Sequence, residues 1–183
     1  NASSTPMAAS VNLHLRNVLM QKLINHTGVL ENNWTLVEEI QAELPSGNIL
    51  VPAPYWLENR EALAKRGNVG IWLASDIELA PFLGLISELP LIAINFPAFA
   101  NGRGYSLARL VKERSDFKGE LRAFGDVLLD QLFFMKRCGF DTYLLKDGLS
   151  DQGALDFFAT FSDPYQLAND LTDPLFRRKH TAV

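Results

Sequence analysis

The sequence predicts an α/β fold: a mostly parallel sheet of about four βα units, open or half-barrel-like, with a small N-terminal β-hairpin and helix segment. Three observations predict it. Strand-like runs begin near residues 69, 91, 120 and 141, the first of them, "VGIWLAS", continuously apolar as in a strand buried on both faces. Each run is followed by apolar residues at helical spacing. The alternation repeats four times, which is the pattern of βαβ units, and four units are too few to close an eight-stranded barrel.

The elements follow in order. Residues 1–19 read as a flexible tail. Residues 20–66 read as a hairpin and a helix packed on the core: segments 23–25 and 34–37 flank "HTGVLENN" as the two arms of the hairpin, a short strand lies at 49–51, and a helix covers 57–65 and stops at Gly67. The βα core spans 67–162. In it "VGIWLAS" is a strand, and "DIELAPFLGLISELP" a helix from about Leu79, with Pro81 in its first turn and Leu79, Phe82, Leu83 and Ile86 facing inward. "LIAINF" is the second strand, and "YSLARLVKERSDF" a helix with Ala108, Leu110 and Val111 inward. "ELRAFG" is the third strand, and "DVLLDQLFFMKRCG" a helix started by Asp126 and closed by Gly139. "DTYLLKDG" is the fourth strand, and "SDQGALDFFATF" a helix capped by Ser150 or Asp151. Residues 163–183, with two Asp-Pro turns, form a C-terminal tail.

Composition narrows the function. A net charge of −4 argues against nonspecific nucleic-acid binding. No apolar run is long enough to span a bilayer. The single cysteine, Cys138, excludes an internal disulfide and a Cys-x-x-Cys metal, cluster or redox pair; it reads as a buried structural thiol, and a cytoplasmic setting fits. His14, His26 and His180 lie outside the βα core, so the core cannot assemble a Ser–His–Asp triad. No metal or cofactor is expected.

In a parallel α/β sheet a ligand sits beyond the carboxyl ends of the strands. The loops at 75–76, 97–104, 125–126 and 146–148 meet there. The second is the most unusual. "PAFANGRGYS" offers Asn101, Gly102, Arg103, Gly104, Tyr105 and Ser106, and it runs into a helix N-terminus. Glycines let backbone approach a ligand, N–H groups and the helix dipole favour an anion, and arginine presents a planar fork. The loop is neither a Walker loop nor a dinucleotide fingerprint. A tight turn, with Gly102 and Gly104 supplying positive φ, is the competing reading. Asp126 and Asp130, at i and i+4 of one expected helix, are candidate acid–base residues; Arg103, Arg109 and Arg122 are candidate cations beside them. Glu120 and Arg122 share one side of their strand and must pair if that side is buried.

Three blocks, "FPAFANGRGYSLARL", "GELRAFGDVLLDQLFFMKRCGF" and, more weakly, "NWTLVEE", resemble a bacterial family of unknown function. The resemblance covers roughly residues 34–166. Members are described as an oxidoreductase of sulfite reduction, and their genes lie beside assimilatory sulfite reductase. The family pattern Asp-Gly-Arg-Gly-Tyr-Ser has Asn101 at its first position here. The resemblance implies a sulfur-assimilation setting, although the sequence holds no flavin, nicotinamide, siroheme or iron–sulfur motif. Three readings stay open. The first is an accessory protein of sulfate or sulfite reduction that binds a small oxyanion, sulfite reductase or another sulfur enzyme. The second is an enzyme on a phosphorylated or sulfated small molecule, with Asp126 or Asp130 as acid–base group and Arg103 as clamp. The third is a structural homodimer without a ligand.

Overall fold

The computed structural model of the chain describes residues 22–40, 43–97 and 102–159. The expected tails 1–19 and 163–183, with His14 and His180, lie outside the described residues, as does Asn101. One sheet of eight strands organises the rest: β1 (Leu23–Ile24), β2 (Val29–Leu30), β3 (Trp34–Leu36), β4 (Asn48–Pro52), β5 (Val69–Leu73), β6 (Leu91–Phe96), β7 (Glu120–Gly125) and β8 (Thr142–Leu144). Their order is β2-β1-β8-β7-β6-β5-β4-β3. Strands β3 to β8 run parallel to one another, whereas β1 is antiparallel to both β2 and β8. The sheet is therefore mixed rather than mostly parallel, and it forms an open, strongly curled half-barrel. The difference arises at the N-terminus. There the hairpin joins the sheet edge through Leu23↔Leu144 and Ile24↔Tyr143 instead of packing upon the sheet.

Chain length alone forces the curl. Flat, eight strands would place β2 and β3 seven spacings of about 4.8 Å apart, roughly 34 Å. Residues 31–33 join Leu30 to Trp34, and four Cα steps reach about 14 Å at most. The sheet bends until its two edges are that close. β2 points the same way as β3, so the connection also runs back against the strand direction across the open side.

The hairpin turn is tighter than expected. Asn25 Oδ1 accepts hydrogen bonds from Thr27 N, Thr27 Oγ1 and Gly28 N at 2.8–2.9 Å. This Asx turn reverses the chain at once, so the second arm is Val29–Leu30, and Trp34–Leu36 pairs with β4 at the far edge.

Five α-helices occur among the described residues: α1 (Ala53–Glu58), α2 (Arg60–Arg66), α3 (Arg103–Arg114), α4 (Leu132–Cys138) and α5 (Asp151–Ala159). The helix expected at 57–65 is two helices, divided at Asn59. The helix expected from Leu79 is a run of turns, with Phe82 N, Leu85 N and Leu89 N each bonded to the carbonyl three residues before. Pro81 and Gly84 disfavour a regular α-helix there. Leu79, Phe82 and Ile86 are nevertheless buried, while Leu83 is only half-buried. Apolar spacing alone does not distinguish these turns from a helix. Gly139, at φ 103°, closes α4 as expected, and Ser150 Oγ accepts from Gly153 N to cap α5.

Strand alternation divides two cores. Ile92, Ile94, Leu121 and Ala123 face the helices and meet Leu107, Ala108, Val111, Leu132 and Met135. Leu91, Ala93, Phe124 and Leu144 face the inside of the curl with Leu23, Leu36 and Leu50, and Trp34 and Trp72 pack on them. Trp72 Nε1 donates to Val37 O (3.0 Å). Burying both faces explains why β5 and β6 read as continuous apolar runs.

Candidate functional site

The carboxyl edge of the sheet gathers most, though not all, of the residues singled out in the sequence. β6 ends in Phe96, which is 1% exposed and lies between Tyr105 and Phe140 at ring-centroid distances of 5.2 and 5.7 Å. The start of α3 lies directly over this ring: a Cβ at Gly104 would come within 2.7 Å of Phe96 Cε1 and Cζ. Gly104 is therefore needed for close packing of helix on strand. Neither Gly102 (φ −71°) nor Gly104 has positive φ, so the competing reading, in which both glycines open a tight turn, is not what the backbone does. A Cβ on Gly102 would meet nothing within 4 Å, which leaves space beside the first turn of α3. Arg103 and Ser106 are exposed on that turn and Tyr105 is half-buried.

β7 ends against β6. Gly125 has φ 99°, its missing Cβ leaves room for Phe96 O and Asn95 Oδ1, and Asp126 N bonds to Phe96 O at 2.7 Å. Asp126 does not start a helix. A 3-10 turn occupies Leu129–Gln131, held by Gln131 Oε1 accepting from Leu128 N (3.1 Å), and α4 begins only at Leu132. The two candidate acids are thus not neighbours on one helix. The Asp126 carboxylate pairs with Lys146 from the end of β8. Asp130 is exposed on the 3-10 turn, close enough to Tyr105 to act on it. Burial, then the Cys138 side chain and the Asp130 carboxylate, push the Tyr105 hydroxyl above its ordinary range. Phe134, one turn beyond Asp130, meets Tyr105 edge to face with ring centroids 4.9 Å apart and remains 53% exposed.

Two candidate cations lie elsewhere. Arg109 pairs with Glu113 on the wet side of α3, with both side chains about half exposed. Arg122 points into the curl, on the sheet face away from the helices. It is 3% exposed and paired, as its position beside Glu120 requires: Nε and Nη2 donate to Glu120 Oε1 at 2.9 and 2.8 Å, and Nη1 donates to Asn32 Oδ1 at 2.9 Å. Thr142 Oγ1 also donates to Glu120. Burial lowers the Arg122 pKa, and Glu120 opposes that shift through its charge and its hydrogen bond. Strand alternation, legible in the sequence, places Arg122 and Ala123 on opposite faces, but which face held the helices was not legible.

Among the described residues no group of three or more His, Cys, Asp or Glu side chains could hold a metal, and no helix is long and apolar enough to cross a membrane. Cys138 is buried, as expected.

The model of a family described as "Bacterial protein of unknown function (DUF934)" matches residues 70–176. The chain belongs to this family. No curated protein and no solved structure matches it. The DUF934 match takes in β6 to β8, nearly all of β5, the first turn of α3 and both candidate acids, so the part of the carboxyl edge that carries the candidate site lies within the family's span. Sequence reasoning placed the 146–148 loop at this edge but missed the pairing of Lys146 with Asp126, and it missed Phe134 and Asn32. Lys146 and Asn32 meet partners 20 and 90 residues away, and nothing local marks them. Phe134 sits in an apolar run that does not reveal which of its residues points outward.

Proposed function

We propose that this protein is a cytoplasmic accessory factor of assimilatory sulfate or sulfite reduction, holding a small oxyanion or a sulfur enzyme at the carboxyl edge of its sheet. The sulfur setting rests on the resemblance carried by the "FPAFANGRGYSLARL" and "GELRAFGDVLLDQLFFMKRCGF" blocks. The observation that supports the site is the seating of α3. Contact between Gly104 and Phe96 fixes the helix start at the sheet edge, where backbone N–H groups and the helix dipole favour an anion. Open space beside Gly102 admits a ligand, and Arg103 is exposed on the same turn. Asp126, neutralised by Lys146, adds no unpaired negative charge to repel one.

Deletion of the gene tests the setting: growth on sulfate or sulfite should fail while growth on cysteine is normal. Equal growth on sulfate, sulfite, sulfide and cysteine would remove the sulfur reading. Calorimetric titration with sulfate, sulfite, phosphate and adenylyl sulfate tests the site. A hydrogen bond to a charged group contributes about 1.5–3 kcal/mol, so Arg103→Ala should weaken oxyanion binding by roughly 10- to 150-fold, with Arg103→Lys recovering only part of the loss. Binding that is unchanged in Arg103→Ala refutes the clamp.

A further inference from the structure

Among the described residues, 31–33 cross the open side of the curled sheet, leading from edge strand β2 to edge strand β3 at opposite ends of the strand order. We propose that this crossing is a latch: Asn32, seated on the buried Arg122, pins the crossing and the two short edge strands it joins to the sheet, and its release lets them detach and opens the inside of the curl.

Asn32 is half-buried between two exposed neighbours, Glu31 and Asn33. Its Oδ1 accepts from Trp34 N at 3.2 Å and from Arg122 Nη1 at 2.9 Å. The first bond shapes the entry into β3. The second ties the crossing to β7, a central strand of the sheet. Arg122 is a firm anchor because its other two nitrogens, Nε and Nη2, are fixed on Glu120, which is in turn held by Thr142 of β8. The tie is between a neutral acceptor and a charged donor, so it is worth more than an ordinary hydrogen bond.

The parts the latch holds are weakly secured by themselves. β2 has two residues, both exposed, and β3 has three; among the described residues β2 pairs only with β1 and β3 only with β4. Short edge strands with exposed backbone open locally at low cost. Trp34, on β3 at the far end of the crossing, and Trp72 pack on the apolar residues inside the curl, so opening there uncovers tryptophan.

Hydrogen exchange of the full chain, read by mass spectrometry, tests the latch alongside acrylamide quenching of tryptophan fluorescence. In Asn32→Ala, peptides covering β2 and β3 should exchange roughly 10- to 100-fold faster, quenching should rise, and peptides covering β6 and β7 should keep wild-type exchange. Asn32→Asp places a carboxylate on the guanidinium and should exchange at or below the wild-type rate. Asn33→Ala, at the exposed neighbour, should match wild type. The proposal is overturned if Asn32→Ala leaves β2 and β3 unchanged, if β6 and β7 accelerate equally, or if Asn32→Asp behaves like Asn32→Ala.

Discussion

The pair inside the curl should respond unequally to loss of its two members. Arg122 and Glu120 share one contact, but their side chains are 4% and 31% exposed. Replacing Glu120 with Leu leaves a guanidinium in a nearly dry site with Asn32 as a neutral acceptor. Breaking a buried ion pair in this way costs about 3–5 kcal/mol. Replacing Arg122 with Met keeps most of the stem volume and leaves the Glu120 carboxylate with Thr142 and partial access to water. That loss is nearer about 1–3 kcal/mol. For a chain of this size each kcal/mol moves Tm by about 2–4 °C. Glu120→Leu should therefore melt roughly 6–20 °C below wild type, and Arg122→Met roughly 2–12 °C below. The double variant buries no charge at this point. Apolar replacement of a buried pair is often neutral or better, so it should be more stable than Glu120→Leu alone. Thermal and urea unfolding of the four proteins at neutral pH give the full cycle. The reasoning fails if Arg122→Met costs as much as Glu120→Leu, or if the double variant shows the simple sum of the two losses.

Other expectations follow from the carboxyl edge. Gly104→Ala forces a methyl to 2.7 Å from a Phe96 ring wedged between Tyr105 and Phe140. Overpacking of about 1–3 kcal/mol should outweigh the helix propensity gained, whereas Gly102→Ala, with open space and ordinary φ, should be neutral or stabilising by about 0.4–1 kcal/mol; equal melting temperatures for the two would refute the seating of α3. The Tyr105 pKa is raised above 10.0 in the folded chain. Below that value Tyr105 is neutral folded and unfolded, and its contribution is complete. As pH rises the unfolded phenol ionises first, so stability falls until the folded value is passed. Phenolate absorbance of wild type minus Tyr105→Phe should show one tyrosine titrating late, and a midpoint at or below 10.0 would contradict the burial.

Much of the architecture was written in local patterns. β5 and β6 are nearly continuous apolar runs because both sheet faces are covered, and the parallel order of β5 to β8 follows from the intervening crossovers. Gly139 and Ser150 mark helix ends because capping is decided within a few residues. The pairing of Glu120 with Arg122 also followed from alternation, given that the strand is buried. At the candidate site the sequence indicated the edge and the first turn of α3. It did not show why Gly104 is a glycine, since Gly104 answers to a ring eight residues earlier in the chain, and only assembly brings the two together.

Tertiary structure alone decided the rest. Segment 79–89 keeps its expected buried positions at Leu79, Phe82 and Ile86 but forms turns, because periodicity records burial and not hydrogen bonding. Asp126 is drawn to Lys146 and Asn32 to Arg122 across 20 and 90 residues, by charge and hydrogen bonding that act through space. Above all, the three residues between β2 and β3 say nothing of a curl until the strand order is known. Only when those strands occupy opposite edges does so short a tether require the sheet to bend and bring its ends together.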